Sequence, residues 1–400
     1  MVDFSPNDIQ QSMIDTAAKF GSEVIADAEI ALDKMIDPVG TYDSELFRNT
    51  IAQAYQLGFH KMAIAEDYGG LGLDPQTIGM VWEELARHGV GIAATLVASS
   101  VAHQLITVMA SHNQELIDRY VVPFCEDTTG RHMSAWGSSE PDVGSDGKNY
   151  YDPNVKHLTS AVNKDGKYVI NGTKSDFISN GSIADVYVIF ANVDPSLGIR
   201  GSGAFIVPGD APGASHGVPI DKVGLRALSQ SALYFDDAEI PESYMIFPPG
   251  DGFPMLHRII ITIGGLSVGY LALGLMRAAY EEALAYSKER VQWGKPIFEH
   301  QLVSQKLFEC FQTIEAARAL LWKGSWLAKA RFPGDLKTSM AARTFATNQA
   351  MKHTAEMVQV LGGYGISKEY KLEKYMRDAK LLQIMDGTNE TLMIKAAAEL

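Results

Sequence analysis

Apolar positions change their spacing twice along the chain. From residue 1 to about 131 they recur at helical intervals: Ile9, Met13, Ala17 and Phe20 make one stripe, and Leu46, Ile51, Ala54, Tyr55 and Phe59 make another. Ser5-Pro6-Asn7-Asp8 predicts a helix start, with the Ser5 hydroxyl as cap and Pro6 in the first turn. The run Glu66-Asp67-Tyr68-Gly69-Gly70-Leu71-Gly72 interrupts the helices with a loop. A helix resumes over 75–87, and the alanine-rich apolar stretch 90–109 predicts a single helix central to a bundle. From about 132, alternation replaces the helical period. Lys167-Tyr168-Val169-Ile170 followed by Asn171-Gly172 predicts a hairpin turning on Asn171-Gly172, because both residues tolerate positive φ. Stretches 185–193, 203–208 and 231–235 predict further strands, ending near Glu239-Ile240-Pro241. From about 247 the helical period returns. Leu271, Leu275, Ala279, Ala283 and Tyr286 share one face, and Leu307, Phe311, Ile314 and Leu321 another. Met357 and Leu361 lead into Gly362-Gly363, a helix stop. An α+β fold follows, with a helical domain over 1–131, a β domain over 132–246 and a helical bundle over 247–400.

Length and charge narrow the class. Four hundred residues, 46% hydrophobic, are enough for two or three packed units. A net charge of −14 argues against a nucleic-acid partner but permits an anionic small ligand on a local basic patch. Cys125 and Cys310 are the only cysteines, so no disulfide framework is expected and a reducing, cytoplasmic setting fits. Residues 1–14 carry Asp3 and Asp8 and read as neither signal nor transit peptide. The apolar stretch 259–275 is interrupted by Gly, Ser and Thr, so a buried helix rather than a membrane span is expected. The ten histidines form no metal-ligand spacing, and no metal is expected. No glycine-rich fingerprint follows a predicted strand, which disfavours a Rossmann or P-loop nucleotide site, and no serine-hydrolase elbow is expected.

Five stretches carry candidate chemistry. In Arg377–Glu390 a helix end runs into Asp386-Gly387, with Leu381, Leu382, Ile384 and Met385 just before it. A carboxylate held against apolar surface is poorly solvated and gains basicity, which suits a base for a weakly acidic proton. Asp-Gly also favours turns for backbone reasons alone. Residues 136–146, rich in small residues and including Ser138 and Ser139, read either as a polar loop or as backbone N–H groups for a cofactor edge or phosphate. Phe177 reads as a core aromatic or as a stacking surface for a planar ring. Arg290 and Lys295 offer cations to a diphosphate, or complement a helix dipole; the glycines of 359–365 permit close backbone approach, or simply stop a helix.

Together and in this order, these stretches resemble the acyl-CoA dehydrogenase family. The resemblance spans nearly the whole chain. It is carried by 66–72, Glu83-Glu84-Leu85-Ala86-Arg87, Ser139-Glu140-Pro141 with Gly144-Ser145-Asp146, and Asn171-Gly172-Thr173-Lys174. Lys222-Val223-Gly224-Leu225-Arg226, Phe235-Asp236-Asp237, 290–296, 359–365 and 377–390 complete it. The resemblance implies a middle β-barrel or sandwich, a C-terminal four-helix bundle and a homotetramer with one non-covalent FAD per subunit. It implies that Ser138, Ser139, Phe177 and Ser179 line the flavin ring. Arg290, Gln301, Gln359, Gly362 and Gly363 would hold the adenosine diphosphate half, partly across a subunit interface, with Thr388 and Glu390 beside the same cofactor. Ser145 would touch the pantetheine arm of an acyl-CoA, and the Asp386-Gly387 turn would meet the thioester. The expected acceptor of electrons is an electron-transfer flavoprotein.

Three departures stand out. Asp386 falls where most of the family carries a catalytic Glu. Ile261-Thr262-Ile263-Gly264-Gly265, where some relatives place the base, has no carboxylate and lacks an Arg common there. Residues 148–157 lengthen a loop that lies near the CoA entrance in relatives. Gly264, Gly265 and the short Asp386 imply extra room near the reacting carbons, hence a branched or alicyclic acyl group of the cyclohexane type. Two other readings stay open: a nitroalkane-oxidase-like flavoenzyme with Asp386 as base, and a non-catalytic scaffold of the same fold.

Overall fold

Asn7, not Ser5, caps the first helix, Asp8–Phe20. Its side chain accepts the backbone N–H of Gln10 at 2.9 Å, and the Gln10 side chain accepts that of Asn7 at 2.9 Å. This reciprocal box satisfies two donors that a helix start otherwise leaves unpaired, so it wins over a single hydroxyl cap further out. The computed structural model describes residues 5–148, 150 and 152–400. The apolar stretch 90–109 is two helices, Val90–Ser99 and Val101–Met109, rather than one. The hydroxyls of Ser99 and Ser100 bond back to the carbonyls of Leu96 and Val97 and compete with the helical ladder where it breaks. Phe59 belongs to a separate turn, Phe59–Lys61, because Gly58 at φ 78° ends the preceding helix.

The middle segment is one sheet of β1 (Ser134–Gly137), β2 (Ser160–Lys164), β3 (Lys167–Ser179), β4 (Val186–Asn192), β5 (Ser202–Pro208), β6 (Ala214–His216), β7 (Gln230–Pro241) and β8 (Met245–Phe247). The strand order is β6-β7-β3-β2-β4-β5-β8, with β1 parallel to β4. The hairpin turns at Asp165-Gly166, both at positive φ, and not at Asn171-Gly172. Asn171-Gly172 lies inside β3, where the register against β7 shifts. A Cβ on Gly172 would sit 2.6 Å from the Thr159 Cα, so glycine is needed there for close approach. Gly213-Ala214-Ser215-His216-Gly217 has the spacing of a nucleophile elbow, but it forms the edge strand β6 rather than a strand-to-helix turn.

The last third is helical: Phe253–Glu289, Gln301–Ala330, Leu336–Leu361, Leu372–Leu382 and Asn389–Ala397. Phe253–Glu289 packs most extensively against Leu336–Leu361 and against Pro75–His88 from the first third. By length and apolarity, Val90–Met109 and Phe253–Glu289 could each cross a membrane; in the fold, 61% and 72% of their most apolar windows are buried.

Buried acids join the first third to the last. Glu83 and Glu84 on Pro75–His88 meet Arg277 at 2.8 and 3.0 Å, and Arg318 reaches Glu83 at 2.8 Å. Burial opposes ionisation of Glu84. Hydrogen bonds from His88 and Arg87 and the Arg277 charge outweigh it, holding the carboxyl at about 2 against an ordinary 4.5. A depressed carboxyl contributes stability that is present above its unfolded pKa and lost as pH falls through the folded one. The melting temperature should therefore fall steadily from pH 5 towards about 2, and Glu84→Gln should flatten that slope while lowering the value at pH 7. An unchanged acid slope in the variant would remove Glu84 as its source.

Candidate active site

The helix Leu372–Leu382 ends in two tight turns, Ile384 and Met385 both donating to the Leu381 carbonyl. Asp386 follows at φ 55° and Gly387 at φ 105°, and Thr388 then caps Asn389–Ala397 by accepting the Thr391 N–H. A non-glycine residue in the left-handed region costs on the order of 1–3 kcal/mol and persists only where its surroundings enforce it. Arg343, fully buried on Leu336–Leu361, does so here. Its guanidinium donates to the Met385 carbonyl, to that of Gly387 at 2.9 Å and, more weakly, to that of Asp386 at 3.5 Å. Burial draws the guanidinium down to about 10, and the Asp386 charge opposes that.

Asp386 opens into a cavity of about 700 Å³. The same cavity gathers Ser138, Ser139, Ser145, Phe177, Ser179, Gly387 and Thr388. Asp386 is the only carboxylate among its described lining residues. The chain alone leaves Asp386 exposed, and Ile384 is 52% exposed beside it. The expected apolar shielding therefore does not come from the preceding residues. Much of the wall is apolar, with Trp82, Ala94, Ala98, Val101, Leu105, Ile261 and Leu266, and Gln104, Lys222 and Lys380 line it too. His60 joins this wall, and burial pulls its imidazole down to about 4, so it is neutral near pH 7. A Cβ on Gly264 would meet no atom within 4 Å, so that glycine leaves open space. Gly265 does not: a Cβ there would lie 2.5 Å from the Met340 methyl, because its room is taken by the helix Leu336–Leu361.

A second hollow, of about 600 Å³, is lined by Arg290, Gly362 and Gly363, with Tyr286 and Tyr364. Gly362 takes φ 60° and ends its helix as expected. Gln301, Gln359 and Glu390 lie at exposed positions outside both cavities.

Comparison with known proteins decides the family. Residues 7–127, 135–238 and 250–400 match the N-terminal, middle and C-terminal domains of acyl-CoA dehydrogenase. The "Acyl-CoA dehydrogenase, short-chain specific" of Megasphaera elsdenii is 36% identical over 99% of both chains. The chain belongs to the acyl-CoA dehydrogenase family. The "Cyclohex-1-ene-1-carbonyl-CoA dehydrogenase" of Syntrophus aciditrophicus is 35% identical over 84% of this chain and 78% of its own. The butyryl-CoA dehydrogenase structure from Megasphaera elsdenii superposes with a TM-score of 0.88 at 34% identity, covering 100% of this chain and 99% of that one. The protein is thus a flavin-dependent oxidoreductase of the class acting on CH–CH bonds.

Two buried charge clusters brace the site of this acyl-CoA dehydrogenase. Behind Ser138-Ser139, Lys174 donates to Glu140 at 2.6 Å and to the Phe190 carbonyl at 2.5 Å, while Glu140 accepts the N–H groups of Leu158 and Thr159. Behind the Asp386 turn, Lys374 bridges Glu29 at 2.8 Å and Asp378 at 2.6 Å. Glu29 also accepts the N–H groups of Gly91 and Ile92, and Asp378 that of Leu225. This joint ties the helix before the Asp386 turn to both other thirds of the chain. In the extended loop, Tyr150 packs on His257 and under Lys395, whose ammonium lies 3.5 Å from its ring; Asn149 and Tyr151 lie outside the described residues.

Sequence reading missed Arg343. Its signal was present: a lone charge inside Met340-Ala341-Ala342-Arg343-Thr344-Phe345-Ala346. It also passed over Lys222 as a site residue. Lys222 lines the cavity and donates to the Leu228 carbonyl, and burial with the Arg226 charge draws its ammonium down to about 7.

Proposed function

We propose that this protein is an FAD-dependent acyl-CoA dehydrogenase that introduces an α,β double bond into a branched or alicyclic acyl-CoA, with Asp386 as the base. The observation carrying this reading is that Asp386, on a strained turn, is the one carboxylate among the described lining residues of a large cavity that also holds serine hydroxyls. Glu66 and Asp67, in the loop 66–72, do not line that cavity.

The residues fit FAD. Ser138, Ser139 and Ser179 bring hydroxyls to one edge of the cavity, and Phe177 brings a ring. Gly362 and Gly363 present no side chain to the second hollow, and a Cβ on either would meet open space, so a diphosphate can approach the backbone there beside Arg290. We assign Gln301, Gln359, Thr388 and Glu390 to the same cofactor. Bound FAD supplies the two-electron acceptor for the hydride that leaves the β-carbon.

The chain's own residues do the rest. The Asp386 carboxylate takes the α-proton as the α C–H bond breaks. The Asp386 backbone N–H donates to the thioester oxygen and stabilises the charge that develops there. Ser145 and Gly387 orient the thioester arm. The apolar walls and the neutral His60 favour an uncharged acyl group. The open space at Gly264 supports a bulky one, as does the name of the Syntrophus relative. Electrons pass on to an electron-transfer flavoprotein. Leu302, Phe308 and Trp326, each at least 60% exposed along Gln301–Ala330, support subunit contacts in a homotetramer. We place the enzyme in the cytoplasm.

Anaerobic titration with a panel of acyl-CoA esters, following flavin absorbance, tests this. Cyclohexanecarbonyl-CoA should bleach the flavin faster than butyryl-CoA or octanoyl-CoA; the reverse order would sink the ring assignment. No bleaching by any thioester, with rapid oxygen uptake on a nitroalkane, would sink the whole reading. Gly264→Leu should fill the open space and slow the ring substrate by about tenfold or more, with a smaller effect on butyryl-CoA.

A further inference from the structure

We infer that Arg343 is the positioning residue of the proton-transfer step: its guanidinium sets the backbone on both sides of Asp386 and supplies the cation that partners the carboxylate. The inference rests on Asp386 being the base. Two observations carry it. The guanidinium bonds the carbonyls of Met385, Asp386 and Gly387, so the peptide planes flanking Asp386 are oriented by one rigid donor group. Asp386 holds a left-handed φ of 55°, a conformation that needs enforcing.

Electrostatics points the same way. Arg343 is fully buried, and the turn carbonyls are neutral, so they orient the guanidinium without balancing its charge. Asp386 is the carboxylate whose charge acts on it. Once a ligand fills the apolar cavity, water no longer screens the carboxylate, and a fixed cation close by keeps it ionised and ready to accept a proton. Arg343 lines the same cavity, but its guanidinium bonds the turn carbonyls, and it acts through Asp386.

The test uses FAD-loaded enzyme and the acyl-CoA that bleaches it fastest. Arg343→Gln should slow anaerobic flavin reduction about a hundredfold, the loss that a displaced reacting group produces, while the Kd for acyl-CoA changes by less than about threefold. Arg343→Lys keeps the charge but cannot bridge separate carbonyls with a planar fork, and should be about tenfold slow with affinity likewise unchanged. If the Gln variant does not fold, the Lys variant carries the test alone. Wild-type reduction rates in either variant, or a loss of rate matched by an equal loss of affinity, would overturn the inference. Asp386→Asn is run alongside. Activity kept in that variant overturns the base assignment and this inference with it. Activity lost there but kept in Arg343→Gln overturns only the role of Arg343.

Discussion

Asp386→Asn should keep its fold and its flavin and lose α-proton removal, slowing anaerobic flavin reduction by about a thousandfold or more. The amide matches the carboxylate in size, so the turn and its bonds to Arg343, which run through backbone carbonyls, are undisturbed. The variant loses basicity and the negative charge facing Arg343, and a positioned general base commonly contributes about 10²–10⁴ in rate. No other described carboxylate lines the cavity to take over. Asp386→Glu is the informative companion. In a pocket merely short of one methylene, Glu retains turnover and favours small straight-chain thioesters. In a pocket shaped for a bulky acyl group, the added methylene intrudes and lowers turnover of that substrate selectively. Near wild-type flavin reduction by the Asn variant would show that the base lies elsewhere.

Lys374→Met should cost about 3–5 kcal/mol of stability near pH 8, because it leaves two buried carboxylates without their cation. Lys374, Glu29 and Asp378 are each at most 3% exposed at the side chain. Burial alone lowers a lysine's pKa. The charges of Asp378 and Glu29 outweigh it here and hold Lys374 above its usual range, so the cation is present throughout the physiological range. Burial already holds the Asp378 carboxyl above its usual range, with Glu29 adding to the rise and Lys374 opposing it. Removing Lys374 raises the Asp378 carboxyl further. A group with a raised folded pKa contributes stability at low pH that is lost as pH rises through it. The deficit of the variant should therefore be smaller at pH 5 than at pH 8. Urea unfolding at both pH values reads this directly, and wild-type stability at pH 8 would refute it.

Much of this was legible in the chain. Hydrophobic period depends on residues a few places apart, so the order of helices, sheet and helices follows from local pattern. The Asp386-Gly387 turn is equally local: a helix stop and two residues that tolerate positive φ sit side by side. The glycines at 362–363 are the same kind of signal, and so is the serine loop at 136–146. What failed was the choice between neighbouring local signals. Asp165-Gly166 and Asn171-Gly172 both favour a hairpin, and Asn7 and Ser5 both favour a cap. Pairing of β3 with β7 decides the first, and the Gln10 side chain the second.

The sequence by itself determined the three-part order, the family and the turn that carries Asp386. Only the tertiary structure decided what stands behind that residue. Glu29 and Lys374 meet across 345 positions, and Arg343 reaches a turn more than forty residues further on. A side chain's partner at such separations is set by how helices pack, and no local propensity records it. Burial then gives these contacts their force, since a charge far from water must find its counter-charge inside the fold.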